Sequence, residues 1–125
     1  MKVLIVDDNP INRLVPLAWL VREGCDITES VDGQDALAKA GTMCFDVVLL
    51  DLSMPGMSGR EVCRALRALP DGGRLRIIAY TAHATLDGLD GFKAEGFDDV
   101  LIKPVSRETL LRAVLRDREE AGEAS

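Results

Sequence analysis

Cysteine is scarce in this sequence, and its distribution excludes the usual cysteine-based sites. Three cysteines occur among 125 residues, none of them in a C-x-x-C arrangement: Cys25, Cys44 and Cys63. An odd number of widely spaced cysteines argues against both a disulfide framework and a zinc site. We therefore expect reduced thiols, as in a cytoplasmic protein.

The sequence also has fewer basic than acidic residues, and it has no long apolar run. Lysine and arginine number 15 against 21 aspartates and glutamates, which gives a formal net charge of -6. This charge repels the phosphates of nucleic acids and of anionic lipids. No run approaches the roughly 20 apolar residues of a membrane span, and the apolar stretch before Asp7 is too short for a signal peptide. The sequence thus predicts neither a nucleic-acid partner nor a membrane partner.

The length and the hydrophobic content of the chain are sufficient for one domain. A chain of 125 residues is too short for two independent cores, which excludes a multidomain enzyme. Hydrophobic residues make up 47% of it and can supply a core. We expect one folded domain over residues 1–118 and a flexible acidic tail over residues 119–125.

Short apolar runs rich in branched residues alternate with longer, interrupted ones along the chain. This alternation is typical of repeated β/α units. Runs that are apolar at every position indicate strands of a parallel sheet covered by helices on both faces. The five predicted strands are Val3–Val6, Asp26–Glu29, Val47–Leu50, Ile77–Tyr80 and Val100–Ile102. The second one alternates in charge and should lie near an edge of the sheet.

Residues that favour helix starts precede four of the helical stretches. They are Asn9-Pro10, Asp32-Gly33, Ser58 or Gly59, and Ser106. The remaining stretch, roughly His83–Glu95, contains Gly88 and Gly91, each of which costs about 1 kcal/mol relative to alanine. We expect that helix to be short, frayed or movable.

Five β/α units with right-handed crossovers predict an α/β fold with a doubly wound, five-stranded parallel sheet. The flavodoxin-like strand order 2-1-3-4-5 is one of two common solutions, and periodicity alone does not choose between them. In such sheets, ligands bind at the carboxyl ends of the strands where the winding reverses. The polar residues at these ends are Asp7, Asp8, Asp51, Thr81 and Lys103.

These strand-end residues predict phosphate chemistry. Two carboxylates about 4 Å apart repel by about 4 kcal/mol at an effective dielectric constant of about 20. Three of them can share a crevice only with a cation, and a site of oxygen ligands favours a hard ion such as Mg²⁺. Magnesium held by few carboxylates usually serves phosphoryl transfer, in which an aspartate can act as the nucleophile. The arrangement therefore indicates a transient aspartyl phosphate.

Four segments carry a resemblance to a known family. They are Val3–Asn9, Asp51–Gly59, Tyr80–Ala84 and Lys103-Pro104, and they resemble the motif set of response-regulator receiver domains. The start D-D-N-P-I-N-R and the segment T-A-H-A are especially similar to receivers of hybrid sensor histidine kinases. The resemblance extends from Met1 to about Leu115. It implies the flavodoxin-like order 2-1-3-4-5 and a phosphorylation-activated signalling switch rather than an enzyme.

The resemblance also implies which residues take the phosphoryl group and the metal. Asp51 would accept a phosphoryl group from a phosphohistidine of a sensor histidine kinase or a histidine phosphotransfer protein. Asp7, Asp8 and Asp51 would hold Mg²⁺ together with the backbone carbonyl of Ser53.

Residues on the last two strands would hold the group after transfer. Thr81 and the backbone of Ala82 would bind the phosphoryl oxygens, and Lys103 would pair with Asp51 or with its phosphate. The family's Lys-Pro bond is typically cis, which predicts a cis peptide bond at Pro104.

Further positions would control the lifetime and the consequence of phosphorylation. By the resemblance, Ser53 and His83 tune how long the phosphate lasts, because both flank the path of an attacking water. The family's switch position, which usually holds tyrosine or phenylalanine, is occupied here by Val100. A valine cannot swing a ring toward Thr81, so we expect coupling to the fourth helix to use other contacts or to be weak. Tyr80 is expected to lie in the core.

The first helix is apolar almost all round, so one face should cover the sheet while the other stays apolar in water. By similarity to the family's register, two sets of residues separate these faces. The sheet-facing set is Val15, Trp19 and Leu20. The partner-facing set, for a helical bundle, is Leu14, Leu17 and Val21. We expect a monomer or a weak homodimer.

Three alternatives remain. A phosphatase of the haloacid dehalogenase type needs a second acid two residues after its nucleophile, but Asn9 and Ser53 stand there after Asp7 and Asp51. A flavin-binding electron carrier needs hydroxyls and glycines in the first loop, where this chain has two acids. A receiver-fold interaction module without phosphorylation is the third alternative, and Val100 is compatible with it.

Overall fold

The structure, a computed structural model, describes residues 1–82 and 88–115, apart from the side chains of residues 88–90. Strands and helices alternate throughout these ranges. The strands are β1 (Lys2–Val6), β2 (Asp26–Ser30), β3 (Val47–Asp51), β4 (Arg76–Thr81) and β5 (Asp99–Ile102). The helices are α1 (Pro10–Arg22), α2 (Gly33–Thr42), α3 (Gly59–Arg67), α4 (Gly88–Ala94) and α5 (Arg107–Val114). His83, the predicted boundary at residue 118 and the predicted tail over 119–125 lie outside the described residues.

The strands form one parallel sheet in the order β2-β1-β3-β4-β5. The flavodoxin-like order 2-1-3-4-5 is therefore confirmed, as is the edge position of the second strand. The winding reverses between β1 and β3, so the carboxyl ends of these two strands flank the crevice where a ligand site is expected.

Two apolar cores lie on opposite faces of the sheet because neighbouring residues of a strand point to opposite sides. In β1, Leu4 and Val6 belong to the core that α2, α3 and α4 cover. Val3 and Ile5 belong to the core that α1 and α5 cover. Each central strand thus needs apolar residues at every position, which explains the continuous runs in the sequence.

The predicted helix starts are confirmed by their caps. Asn9 accepts a hydrogen bond from the Ile11 amide at the start of α1, and the Asp32 side chain caps α2. Ser58 and Glu61 form a capping box at α3, and Ser106 caps α5. The described part of the fourth helix is short, at 7 residues. No helix of the described ranges combines the length and the apolar character that crossing a membrane requires.

Helix α1 follows the predicted register at Trp19 and Leu20, which pack on the core that α1 and α5 cover, and departs from it at two other positions. Pro16 and Leu20 are buried, and Leu17 is half-buried against the core that α1 and α5 cover. Val15, predicted to face the sheet, is 46% exposed. Both the partner-facing assignment of Leu17 and the sheet-facing assignment of Val15 are therefore wrong.

The physical reason for these two departures lies at the start of the helix. Arg13 turns toward the sheet, where its guanidinium donates to the Asp7 carbonyl and pairs with Glu29. Residues three, four and seven positions after Arg13 share its side of the helix. Pro16, Leu17 and Leu20 consequently cover the sheet.

An apolar stripe remains on the outer side of α1. It consists of Ile11, Leu14, Val15 and Val21, each of them exposed. The predicted exposure of Leu14 and Val21 is thus found, with Ile11 and Val15 in addition. We call these four residues the α1 stripe.

The first residue of α3 packs directly on the end of β3. A Cβ atom at Gly59 would lie 2.6 Å from both the Asp51 carbonyl oxygen and Leu52 Cα, whereas one at Gly41 in α2 would meet nothing within 4 Å. Only glycine allows α3 to approach the backbone of Asp51 so closely.

We expect Gly59→Ala to lower the free energy of unfolding by roughly 1–3 kcal/mol, the usual cost of overpacking. Gly41→Ala, the matched control, should raise it by up to about 1 kcal/mol because alanine favours the helix. Urea unfolding followed by Trp19 fluorescence measures both changes. A Gly59→Ala variant as stable as the parent would contradict this view of the α3 contact.

Candidate functional site

The register of the strands brings Asp7 and Asp51 side by side. Val6 pairs with Leu50, so Asp7, which follows β1, comes level with Asp51 at the end of β3. Asp51 in turn pairs with Tyr80 of β4, and Thr81 is the last residue of that strand. The carboxyl edge of the sheet therefore collects residues that are far apart in the sequence.

Three carboxylates share this edge. One oxygen atom from each of Asp7, Asp8 and Asp51 lies within 4.8 Å of those of the other two. Asp7 is 1% exposed and Asp51 is 5% exposed, while Asp8 faces solvent. Two of the carboxylates thus repel each other where water screens them little, and the third closes the cluster on the solvent side.

Lys103 supplies a positive charge to the cluster. Its ammonium lies 3.2 Å from Asp7 Oδ2 and 3.8 Å from Asp51 Oδ1. The Lys103 backbone amide donates to the Thr81 carbonyl at 2.7 Å. The Lys103–Pro104 peptide bond is cis, as predicted. One ammonium does not balance three carboxylates, so the cluster keeps a net negative charge.

Backbone amides orient two of the carboxylates. The amide of Asn9 donates to Asp7 Oδ1 at 3.0 Å, and the amide of Ser53 donates to Asp51 Oδ1 at 3.1 Å. Each donor lies two residues after its acceptor, so each loop turns back on the aspartate that precedes it. These backbone amides hold the two carboxylates in place and, being neutral, add no charge to the cluster.

Burial dominates the electrostatics of Asp51. It raises the pKa of the Asp51 carboxyl above its ordinary value of 3.8, and the charge of Asp7 raises that pKa further. The Ser53 amide and the Lys103 ammonium oppose this rise without cancelling it. An ionised Asp51 is therefore costly here, and a bound cation would offset that cost.

The donor set fits a hard divalent ion. Within the part of the chain that the structure describes, the clustered side-chain ligands are all carboxylate oxygens. Mg²⁺ prefers such ligands and usually keeps several waters. The exposure of Asp8 leaves room for water on the solvent side of the cluster. These residues fit Mg²⁺ better than a transition metal.

The structure brings together most, though not all, of the predicted site residues that it describes. Thr81 is buried at the end of β4, while Ala82 and Ser53 are exposed beside the cluster. Val100 is half-buried and packs on the core that α2, α3 and α4 cover. His83 lies outside the described residues.

One contact of the site was missed by sequence reasoning. The Lys103 ammonium lies over the ring of Tyr80, 4.6 Å from its centroid. Tyr80 was predicted to be a core residue, and it does belong to the core that α1 and α5 cover. One feature of the sequence could have indicated this contact: an aromatic residue stands directly before Thr81, at the end of a buried strand.

Comparison with known proteins identifies the family. The sequence model for the response regulator receiver domain matches residues 3–115. The chain belongs to this family. The resemblance seen in the motifs therefore extends over nearly the whole receiver domain, and it identifies a signalling domain.

Relatives and solved structures agree with this assignment. The receiver is 37% identical over 118 residues to the sensor protein GacS of Pseudomonas syringae pv. syringae, which covers 92% of this chain and 13% of that protein. The chemotaxis protein CheY4 of Vibrio cholerae superposes with a TM-score of 0.86 at 35% identity, covering 92% of this chain and 96% of that chain.

A second solved structure is informative about metal binding. The receiver domain of sensor histidine kinase PA1611 from Pseudomonas aeruginosa, with a magnesium ion coordinated in its active site cleft, has a TM-score of 0.83 at 35% identity. It covers 92% of this chain and 94% of that chain. Together these relatives support a phosphorylation-activated switch of two-component signalling, and they give no support to a phosphatase or to an unphosphorylated module.

We expect Asp51→Asn to raise the free energy of unfolding at neutral pH in the presence of a chelator. The raised pKa means that the folded receiver binds the Asp51 proton more tightly than the unfolded chain does. Wild-type stability therefore falls as pH rises from 3.8 through the higher pKa of the folded state, and asparagine removes this loss.

Urea unfolding of both proteins between acid and neutral pH measures this difference. The advantage of Asp51→Asn should shrink as the pH falls, because the wild-type carboxyl is then protonated as well. An advantage that grows on acidification would contradict the sign of the shift.

Proposed function

We propose that this receiver domain accepts a phosphoryl group on Asp51 from a phosphohistidine, with Mg²⁺ held by Asp7, Asp8, Asp51 and the Ser53 carbonyl. The observation that carries the proposal is the cluster at the carboxyl edge of the sheet. Three carboxylates lie within 4.8 Å of one another, and the Lys103 ammonium is 3.8 Å from Asp51 Oδ1. The partner would be a sensor histidine kinase or a histidine phosphotransfer protein.

Each residue of the site would have its own role in the transfer of the phosphoryl group. One Asp51 oxygen attacks phosphorus, the bond between phosphorus and the partner's imidazole nitrogen breaks, and its electron pair returns to the imidazole. The bound Mg²⁺ would neutralise charge on the phosphoryl oxygens. The Ser53 amide holds Asp51 Oδ1 at 3.1 Å, which orients the nucleophile. Lys103 lies close enough to pair with the phosphoryl group after transfer.

Phosphorylation would then act on the end of β4. The new group carries about two negative charges at neutral pH and offers several acceptor oxygens. Thr81 and the backbone of Ala82 are the donors that the family resemblance assigns to those oxygens, and both lie at this edge. An inward movement of the Thr81 loop would rearrange α4, the short helix that follows. His83 and Ser53 would tune the lifetime of the phosphate.

The local geometry disfavours hydrolysis of small phosphate esters. A phosphatase of the haloacid dehalogenase type would have an acid two residues after its nucleophile. Here the residues at those positions are Asn9 and Ser53, whose backbone amides donate to Asp7 and Asp51. These positions serve to hold the carboxylates, and neither supplies a proton-transferring carboxyl group.

The α1 stripe is the docking surface in this proposal. It begins beside the site, because α1 starts at Pro10, directly after the loop that contains Asp7 and Asp8. Ile11 is 73% exposed and Leu14 is 60% exposed. A helical bundle that presents an apolar groove would cover these residues while its histidine reaches Asp51.

Three broader expectations belong to the same proposal. They are a receiver that spans residues 1–118, a cytoplasmic location, and a monomer or weak homodimer. The net charge of -6 supports a chain that works without nucleic acid or an anionic membrane.

The phosphoacceptor role is tested by incubation with acetyl phosphate and Mg²⁺. Intact mass should rise by one phosphoryl group, and Asp51→Asn or an excess of EDTA should abolish the gain. Asp71→Asn, which changes an exposed carboxylate at the opposite edge of the sheet, should label as the parent does. Labelling of Asp51→Asn, or steady release of phosphate from a stable ester without a protein-bound species, would contradict the proposal.

The docking surface is tested by Leu14→Asp. This change should slow transfer from a phosphorylated histidine phosphotransfer protein at least tenfold, on the order of what one anchor residue of an interface contributes. Labelling by acetyl phosphate should stay near the parent rate because Leu14 is outside the cluster. Met43→Asp, at a residue that is 42% exposed and precedes β3, is the matched control. Equal loss with both donors would refute the assignment.

A further inference from the structure

We propose that Tyr80 is a positioning residue, whose ring holds the Lys103 ammonium beside Asp7 and Asp51. The inference rests on the proposed role of Asp51 as phosphoacceptor and assigns a residue that controls the same site. The observation behind it is the Lys103 ammonium over the Tyr80 ring, 4.6 Å from the centroid. The negative face of an aromatic ring attracts a cation at this distance.

The strands fix the ring at this place. Tyr80 pairs with Asp51 on one side and with Leu101 on the other, so it lies between the phosphoacceptor and the strand that leads to Lys103. The side chain is 8% exposed and packed among the core residues under α1 and α5. A buried aromatic ring at the end of a central strand cannot move far, which makes it a fixed support.

Lys103 needs such a support because its stem is flexible and its two anionic partners compete. The ammonium is closer to Asp7, at 3.2 Å, than to the phosphoacceptor, at 3.8 Å. A further carboxylate in place of the ring would compete for the ammonium and add to the repulsion in the cluster. An aliphatic side chain would fill the space without attracting the cation. An uncharged aromatic ring attracts it and leaves the charge of the cluster unchanged.

Tyr80 is not a substitute for the aromatic residue missing at Val100. Neighbouring residues on adjacent parallel strands point to the same face of a sheet, and Val100 pairs with Ala79. Ala79 and Val100 pack in the core under α2, α3 and α4, whereas Tyr80 and Leu101 pack in the opposite core. The ring of Tyr80 therefore supports Lys103, on the other side of the sheet from the switch position.

Nuclear magnetic resonance tests the contact without any phosphorylation. The sequence has four lysines, Lys2, Lys39, Lys93 and Lys103, so ¹³Cε-labelled lysine gives a spectrum that Lys103→Gln can assign. The Hε protons of Lys103 should be shifted upfield by the ring current of Tyr80 and should lose this shift in Tyr80→Leu. A Lys103 signal that overlaps those of the other lysines in the parent protein would overturn the inference.

Labelling kinetics with acetyl phosphate and saturating Mg²⁺ test the consequence for the site. Tyr80→Leu should slow labelling about tenfold, a size that an ordinary cation–π contact can produce. Tyr80→Phe keeps the ring and should retain most of the rate. Pentafluorophenylalanine at position 80 keeps the shape but reverses the charge distribution of the ring, so it should behave as leucine does. Ile78→Val, in the same strand and core, controls for altered packing.

A double-mutant cycle separates positioning from a purely structural role. In a Lys103→Gln background, Tyr80→Leu should cause no further loss, because the cation that the ring holds is absent. The same loss in both backgrounds, or a pentafluorophenylalanine variant as fast as Tyr80→Phe, would overturn the inference. A parent protein with an upfield Lys103 signal but no labelling would support the contact and contradict the proposed function of Asp51.

Discussion

Repulsion among carboxylates at one edge of the sheet is the constraint on which the rest of this structure depends. Asp7 and Asp51 are buried next to each other, and burial and the neighbouring charge both raise the pKa of Asp51. Such an arrangement persists only when the fold around it is rigid and supplies compensating donors. Two covered sheet faces provide the rigidity. The Lys103 ammonium and two backbone amides provide the donors.

Several structural features near the site hold the repelling carboxylates in place. The loops after β1 and β3 turn back to donate backbone amides to Asp7 and Asp51. Gly59 lets α3 approach the Asp51 carbonyl closely, and the capping box of Ser58 and Glu61 fixes the start of that helix. Arg13 donates to the carbonyl of Asp7 and thereby fixes the rotation of α1. The electrostatics of the site and the exposed face of that helix are consequently set by the same few residues.

Much of the fold and of the candidate site could be predicted from the sequence, because both depend on local sequence patterns. Continuous apolar runs give the strands, capping residues give the helix starts, and polar residues at strand ends give the site. The strand order needed the resemblance to a family, since β/α alternation allows more than one winding.

The features that the sequence did not predict depend on where side chains run in three dimensions. The rotation of α1 follows from the reach of Arg13 toward Asp7 and Glu29, which no helical periodicity encodes in a helix apolar on nearly all sides. The stacking of Lys103 on Tyr80 depends on how a flexible stem bends back after β5 ends.

The two partners of one ion pair, Asp7 and Lys103, are 96 positions apart. Asp7 directly follows the first strand, and Lys103 directly follows the last. A nascent chain can therefore pair β1 with β3 and align two acids long before the compensating lysine has been synthesised. Until the final strand docks, that edge is a partly assembled acidic pocket without its cation. The full set of charges at this edge therefore forms only after β5, the last strand of the described residues, has docked beside β4.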